Sequence, residues 1–181
     1  MTDILEWLLK VSSGDHLLYE YINHNSALIA LIIFVIGVAF FAWTYKRNLF
    51  VLLPALLIAS LAIFVFFNAQ YGHSDVTNTD ELNIFFESNR PFIVQIYSDS
   101  CAMCLLSKNS VDELDRNIDG EVALLRLNLS EKIGRMVARQ YQVTVTPTFL
   151  IFDGFGNVAF RQSGYPDIAK IEETALSLKS S

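Results

Sequence analysis

Tyr97-Ser98-Asp99-Ser100-Cys101-Ala102-Met103-Cys104 decides how this chain is read. It holds the only two cysteines of the sequence, three positions apart. An apolar run precedes them, Pro91-Phe92-Ile93-Val94-Gln95-Ile96-Tyr97, and a helix-like pattern follows through Leu105, Leu106, Val111 and Leu114. A strand that delivers a Cys-x-x-Cys pair onto the first turn of a helix is a redox arrangement. The helix start presents unpaired N–H groups and partial positive charge, which favour a thiolate at Cys101. Cys104, one turn further on, can resolve a mixed disulfide formed with a substrate. A purely structural bridge would be a poor staple, because so short a loop removes little entropy from the unfolded chain. A zinc site needs about four ligands, and His16, His24 and His73 all lie outside this segment.

Working outward, the composition points to a membrane. The chain has 181 residues, of which 52% are hydrophobic, more than a soluble protein of this size carries. The excess is localised in residues 27–45 and 49–67, neither of which contains a charge. Nineteen helical residues span about 28 Å, close to the roughly 30 Å of a bilayer core. Neither segment has a polar face, as a core helix of a soluble domain would. The expectation is a two-helix transmembrane hairpin closed by Lys46-Arg47-Asn48, with Trp43 and Tyr45 in an aromatic belt. No acid, cysteine or histidine lies within either span, so the hairpin reads as an anchor. The first span starts too far in, and lacks the basic flank, to be a cleavable signal peptide. Lys46 and Arg47 place the connection in the cytoplasm and both termini on the far side.

Residues 1–26 read as an interfacial segment, with an apolar stripe Ile4, Leu5, Leu8, Val11 over 2–11 and a second apolar-aromatic stretch over 17–22. Residues 68–78 read as a polar tether, and 79–181 as a separate domain. Residues 75–181 carry 15 acidic and 10 basic residues and no basic stripe, so nucleic acid is not an expected partner. Asn78 caps the first helix of the domain, with Glu81 placed to complete a capping box. Then come the central strand, the Cys101 helix to about 117, a strand over 122–128, a helix capped by Ser130, strands over 149–152 and 158–162, and a last helix over 167–178.

This element order, with Cys101 and Cys104 at the strand-to-helix junction, Thr146-Pro147 before a strand and Gly164 after the last one, resembles the thioredoxin family. The resemblance implies an α/β thioredoxin fold, a central mixed sheet flanked by helices. It also implies a cis-proline at Pro147 facing the cysteines, and Thr146 pairing its backbone with an extended substrate peptide. Cys101 and Cys104 would be the catalytic pair of a protein thiol–disulfide oxidoreductase that needs no cofactor and no metal. Its partners would be protein thiol or disulfide substrates, a redox protein that recharges the pair, and the lipid bilayer. The tether and the hairpin Phe149 to Val158 look like those of extracytoplasmic relatives, on the periplasmic side of the inner membrane in a bacterium.

Three features depart from the family pattern. Ser100 stands where the family has Trp, Ala-Met replaces the usual dipeptide, and Gln95 replaces a buried acid, with Arg126 in place of its Lys partner. Asp99 reads as a surface residue whose charge would raise the Cys101 pKa. Because Ala-Met supplies no side-chain donor to a thiolate, a reductase or isomerase-like role is expected rather than an oxidant. The departures also motivate an alternative, a non-enzymatic thioredoxin-fold chaperone or assembly factor in the membrane.

Overall fold

Phe92–Tyr97, the strand expected to feed the cysteines, is buried at all six positions. In the computed structural model, which describes residues 18–44 and 49–179, this strand (β1) is central. It is flanked by β2 (Ala123–Asn128) and β3 (Thr148–Phe152), with β4 (Val158–Ser163) at the edge in the order β2-β1-β3-β4. β1 runs parallel to β2 and antiparallel to β3, and β3 antiparallel to β4. A strand covered on both faces has no need of alternation, which is why β1 reads as a continuous apolar run.

The period-two geometry of the strand divides β1 between two cores. Phe92, Val94 and Ile96 face one side with Leu125, Leu127, Leu150 and Phe152. There they meet Leu82, Phe85 and Phe86 of α3 (Thr79–Glu87) and Ile133 and Val137 of α5 (Lys132–Gln140). Ile93 faces the other side with Phe149 and Ile151. There it meets Val111, Leu114 and Ile118 of α4 (Ala102–Ile118) and Ile171 and Ala175 of α6 (Ile168–Lys179). Gln95 and Tyr97 share the parity of Ile93, so they lie on the face that α4 covers.

The capping expectation for α3 holds. Asn78 Oδ1 accepts from the N–H of Glu81 at 2.9 Å, and the Glu81 carboxylate accepts from Thr77 N–H at 2.7 Å and Asn78 Nδ2 at 2.9 Å. The expectation for Ser130 does not. The N-cap of α5 is Glu131, because the Ser130 hydroxyl donates to Asn128 Oδ1 at 2.7 Å. Glu131 in turn accepts from Ser74 N–H at 3.2 Å and lies 2.8 Å from His73 Nδ1.

Residues 71–76 run along β2. Asp75 N–H donates to Arg126 O at 2.9 Å, Asn128 N–H to Ser74 Oγ at 2.8 Å, and Tyr97 OH to Gly72 O at 2.9 Å.

Two apolar helices precede this domain, α1 (Ser26–Thr44) and α2 (Leu49–Asn68). α1 is long and apolar enough to cross a membrane, and its Ile33, Ile36, Phe40 and Trp43 are exposed rather than packed in a core. Grooves lined jointly by Val38, Ala39 and Ala42 of α1 and Ala55, Leu56 and Ala59 of α2 show the two helices side by side. Pro54 lies inside α2, one turn in. Residues 18–24 are helical and lead into α1 through Asn25. The stripe expected over 2–11 and the Lys46-Arg47-Asn48 connection with Tyr45 lie outside the described residues.

Gly134 fixes how closely α5 approaches the end of β2, since a Cβ there would overlap the backbone carbonyl of Asn128. The obstacle is main chain and cannot swing away. Gly134→Ala should therefore destabilise the domain by about 1–3 kcal/mol, read as a lower denaturant midpoint with unchanged slope. An unchanged midpoint would show that α5 can shift freely.

Candidate active site

Cys101 is the N-cap of α4, with φ −90° and ψ 120°. Its Sγ accepts from the backbone N–H of Cys104 at 3.4 Å, so a sulfur occupies the place that a Ser or Asp oxygen takes at other helix starts. The Cys101 thiol can also donate to Thr146 O, 3.4 Å away. The Thr146–Pro147 bond is cis, as the resemblance implied, and Gly164, at φ +89°, donates its N–H to Pro147 O at 2.8 Å. All four residues singled out in the sequence, Cys101, Cys104, Thr146 and Pro147, thus meet at one place.

The two thiols are driven apart in acidity. Cys101 is pushed down to about 6, first by the hydrogen bond from the Cys104 thiol and then by contacts to Thr146 and to the main-chain N–H groups of Cys104 and Met103, against the opposing effect of burial. Cys104 is pushed up, first by burial and then by that same hydrogen bond to Cys101. At neutral pH the arrangement holds a thiolate at Cys101 and a thiol at Cys104. Main-chain donors supply what the Ala-Met dipeptide lacks in side chains.

Asp99 does not behave as a surface charge beside Cys101. Its Oδ1 accepts from Tyr71 N–H at 2.8 Å and Gly72 N–H at 3.3 Å, and its Oδ2 from Asn128 Nδ2 at 2.7 Å. The carboxylate latches the chain after α2 onto the domain. That latch seats the Tyr71 ring on Tyr97, with centroids 4.8 Å apart, and packs it against Cys101 and Cys104. Lys108 Nζ lies 4.9 Å and the Arg126 guanidinium 5.6 Å from the centre of the same ring.

Gln95 is fully buried, and neither end of its amide has a hydrogen-bond partner. The Tyr71 hydroxyl is its polar neighbour but falls short of hydrogen-bonding geometry. Arg126 has turned away from this position to Asp112 at 3.1 Å and Asp115 at 2.9 Å on α4. Among the described residues no three His, Cys, Asp or Glu side chains converge as metal ligands.

Sequence reasoning missed what lies on top. Both cysteines are completely buried, where an accessible pair was expected. The turn before α1 covers them. Thr146 N–H donates to Asn23 Oδ1 at 2.7 Å, Thr146 Oγ1 to the same oxygen at 3.1 Å, and Asn23 Nδ2 to Thr146 O at 3.4 Å. Ala27 N–H donates to Ser100 O at 2.8 Å, Ala102 N–H to Ser26 Oγ at 2.9 Å, and Ser98 Oγ to His24 O at 2.7 Å. The only sequence signal was a polar cluster, Asn23-His24-Asn25-Ser26, ahead of an apolar helix. By itself it reads as a helix cap.

With this geometry in place, comparison with known proteins is decisive. A family model described as a thioredoxin-like domain matches residues 79–177, more than half of the chain. The chain belongs to the thioredoxin family. It is 32% identical over 78 residues to the chloroplastic M-type thioredoxin of spinach, covering 43% of this chain and 42% of that one. It is 24% identical over 79 residues to the thioredoxin of Rickettsia felis, covering 44% and 73% respectively. The chain thus spans less than half the length of the spinach relative. Among solved structures, a chain from a study of thiol resolution in the yeast mitochondrial 1-Cys peroxiredoxin superposes with a TM-score of 0.50 at 17% identity, covering 60% of this chain and 98% of that one. The J-Trx1 fragment of ERdj5 gives 0.50 at 22% identity, covering 57% and 50%. At such identities these two share the fold.

The electrostatics of the pair can be read directly. In the reduced protein, the alkylation rate of Cys101 should rise with pH through a midpoint of about 6 and level off by neutrality. Cys104→Ala removes the largest stabilising contact to the thiolate, so it should move that midpoint upward, toward the roughly 8.5 of a free thiol. Mass spectrometry of iodoacetamide-treated samples checks both. A midpoint above 8 in the parent protein would contradict the geometry.

Proposed function

We propose that this protein is a membrane-tethered thiol–disulfide oxidoreductase that exchanges disulfides with protein substrates through Cys101 and Cys104. The observation that carries the reading is the capped sulfur of Cys101, 3.4 Å from both Cys104 N and Thr146 O. The Cys101 thiolate attacks one sulfur of a substrate disulfide. The substrate S–S bond breaks, a Cys101–substrate disulfide forms, and the first substrate sulfur leaves as a thiolate that takes up a proton. Cys104 then loses its proton and attacks Cys101 Sγ. The mixed disulfide breaks, the Cys101–Cys104 bond forms, and the second substrate sulfur leaves and is protonated. Two electrons have passed to the substrate, and a partner dithiol protein must return them. Run backwards, the same steps oxidise a substrate dithiol. Thr146 and Pro147 hold the substrate chain beside the sulfur during either direction.

Gln95 bears on the second step. A neutral amide cannot accept the Cys104 proton, so resolution depends on another acceptor and is the slower half of the cycle. The reductase or isomerase-like direction suggested by Ala-Met rested on missing side-chain donors, which main-chain N–H groups replace. A lowered nucleophile pKa stabilises the reduced pair and makes the couple more oxidising. We therefore place it mid-range, as an isomerase-like couple.

The anchor in this proposal is α1 paired with α2 as a two-pass hairpin, with the bilayer as a partner. Lys46 and Arg47 on the cytoplasmic side leave the thioredoxin-like domain outside the cytoplasm, where disulfides persist.

The reduction potential of the Cys101–Cys104 couple tests the chemistry and its direction together. It is expected near about −200 mV, between the roughly −270 mV and −120 mV that bracket this family. Cys104→Ser should accumulate a Cys101-linked mixed disulfide with clients, and Cys101→Ser should abolish exchange. Full cellular function in a Cys101→Ser, Cys104→Ser double variant would instead identify a non-enzymatic chaperone.

A further inference from the structure

The covering turn carries more than steric bulk. A substrate peptide bound in an extended form offers a carbonyl and an N–H to the main chain of the receiving edge. The Asn23 carboxamide offers the same pair, Oδ1 to Thr146 N–H at 2.7 Å and Nδ2 to Thr146 O at 3.4 Å. The neighbouring bonds fix the turn on both sides of Cys101. Ala27 N–H reaches Ser100 O, and Ser26 Oγ receives Ala102 N–H, so the residues flanking the nucleophile are also engaged.

We propose that residues 23–27 are a built-in occupant of the substrate edge, and that a client disulfide reaches Cys101 only when its extended chain displaces Asn23 from Thr146. This rests on the redox reading of the pair and adds how that site chooses its partners.

Two features make the occupant displaceable. It is held by polar bonds, and Asn23, His24, Asn25 and Ser26 contribute no large apolar group to the core. Beside it, at His24, opens a groove of about 450 Å³ bordered by Glu20, His24, Arg135, Arg139 and Thr144. The turn is also continuous with the head of α1, whose first residue is Ser26. A partner that competes for Thr146 must act where the apolar helix begins. A ligand with one amide can only trade places with Asn23, whereas an extended chain adds side-chain contacts along the edge. The occupant thus selects for polypeptide disulfides over small ones.

The test uses the reduced full-length protein in detergent micelles, with iodoacetamide as a probe that needs no turnover. Asn23→Ala should speed Cys101 alkylation at pH 7 at least tenfold while moving the pH midpoint of the reaction no higher, since less burial favours the thiolate. Ser26→Ala, which removes a different bond, should produce a smaller rise in the same direction, and it carries the test should Asn23→Ala fail to fold. With reduced insulin formation as a second readout, Asn23→Ala should lower KM for oxidised insulin and leave kcat unchanged. Alkylation within twofold of the parent in both variants would overturn the proposal. So would a faster rate accompanied by a raised midpoint, since the turn would then be tuning the thiol rather than blocking it. Failure of insulin turnover in every variant, with alkylation still accelerated, would refute the enzymatic reading and leave the occupant established.

Discussion

The sulfur of Cys101 at the start of α4 is the constraint to which the other parts answer. A helix start needs acceptors for its free N–H groups, and here one of them is met by a thiol that the chemistry wants ionised. The same contact closes the helix and prepares the nucleophile. It requires β1 to end at a fixed height above α4, which two independent cores enforce: Phe92, Val94 and Ile96 on one face, Ile93 on the other. It also requires Thr146 O to stand 3.4 Å from the sulfur. That position depends on β3 pairing antiparallel with β1 in the observed register, Ile96 opposite Thr148.

Once the thiolate is held by main-chain N–H groups and by Cys104, the identity of the intervening dipeptide matters less than its side chains suggest. Ala102 and Met103 contribute their backbone geometry. Met103 is partly exposed and Leu106, one turn on, is largely exposed, so the outer face of the first turns is apolar where Ser100 has removed the family's Trp. Gln95 shows the opposite case. Nothing nearby restores the charge it lacks, because Arg126 pairs with Asp112 and Asp115 instead. Removing the acid and redirecting its cation together avoids leaving a buried charge unpaired.

The domain was legible because its signals are local or periodic. The continuous apolar run of β1, the Asn78 and Glu81 capping box, and the Cys-x-x-Cys pair each declare themselves within a few residues, and the Thr146-Pro147 step joined them through family pattern. What escaped was long-range pairing by small polar groups. Asp99 looks like any surface acid until the chain at Tyr71 and Gly72 folds back to it across 28 and 27 positions. Asn23 contacts Thr146 over a separation of 123. Neither partnership leaves a periodicity, since one carboxylate or one amide satisfies it. Ser130 failed for a related reason: its hydroxyl had a competing acceptor in Asn128, and capping preference cannot weigh competitors that only the fold brings near.

These long-range polar contacts join the two apolar helices to the cysteine pair at two points. The chain enters α1 over the top of the cysteines, through Asn23 and Ser26, and leaves α2 beneath them, through Tyr71 and Gly72 on Asp99. A flexible linker would decouple the domain from the helices and let it swing toward any client. With both ends of the helical pair bonded to residues 98–102 and 146, the redox site and the apolar helices are held as neighbours. The lower attachment is a carboxylate accepting N–H bonds, with the Tyr71 ring tilted against Tyr97. The upper one is amide and hydroxyl contacts to Thr146 and Ala102, the contacts that the proposal has an extended chain displace. Were the upper contact displaced, the Tyr71 ring would keep its place against Tyr97 and the cysteine cluster. That arrangement suits a two-step exchange, in which the attacking sulfur must meet the client and the resolving sulfur must meet only its neighbour.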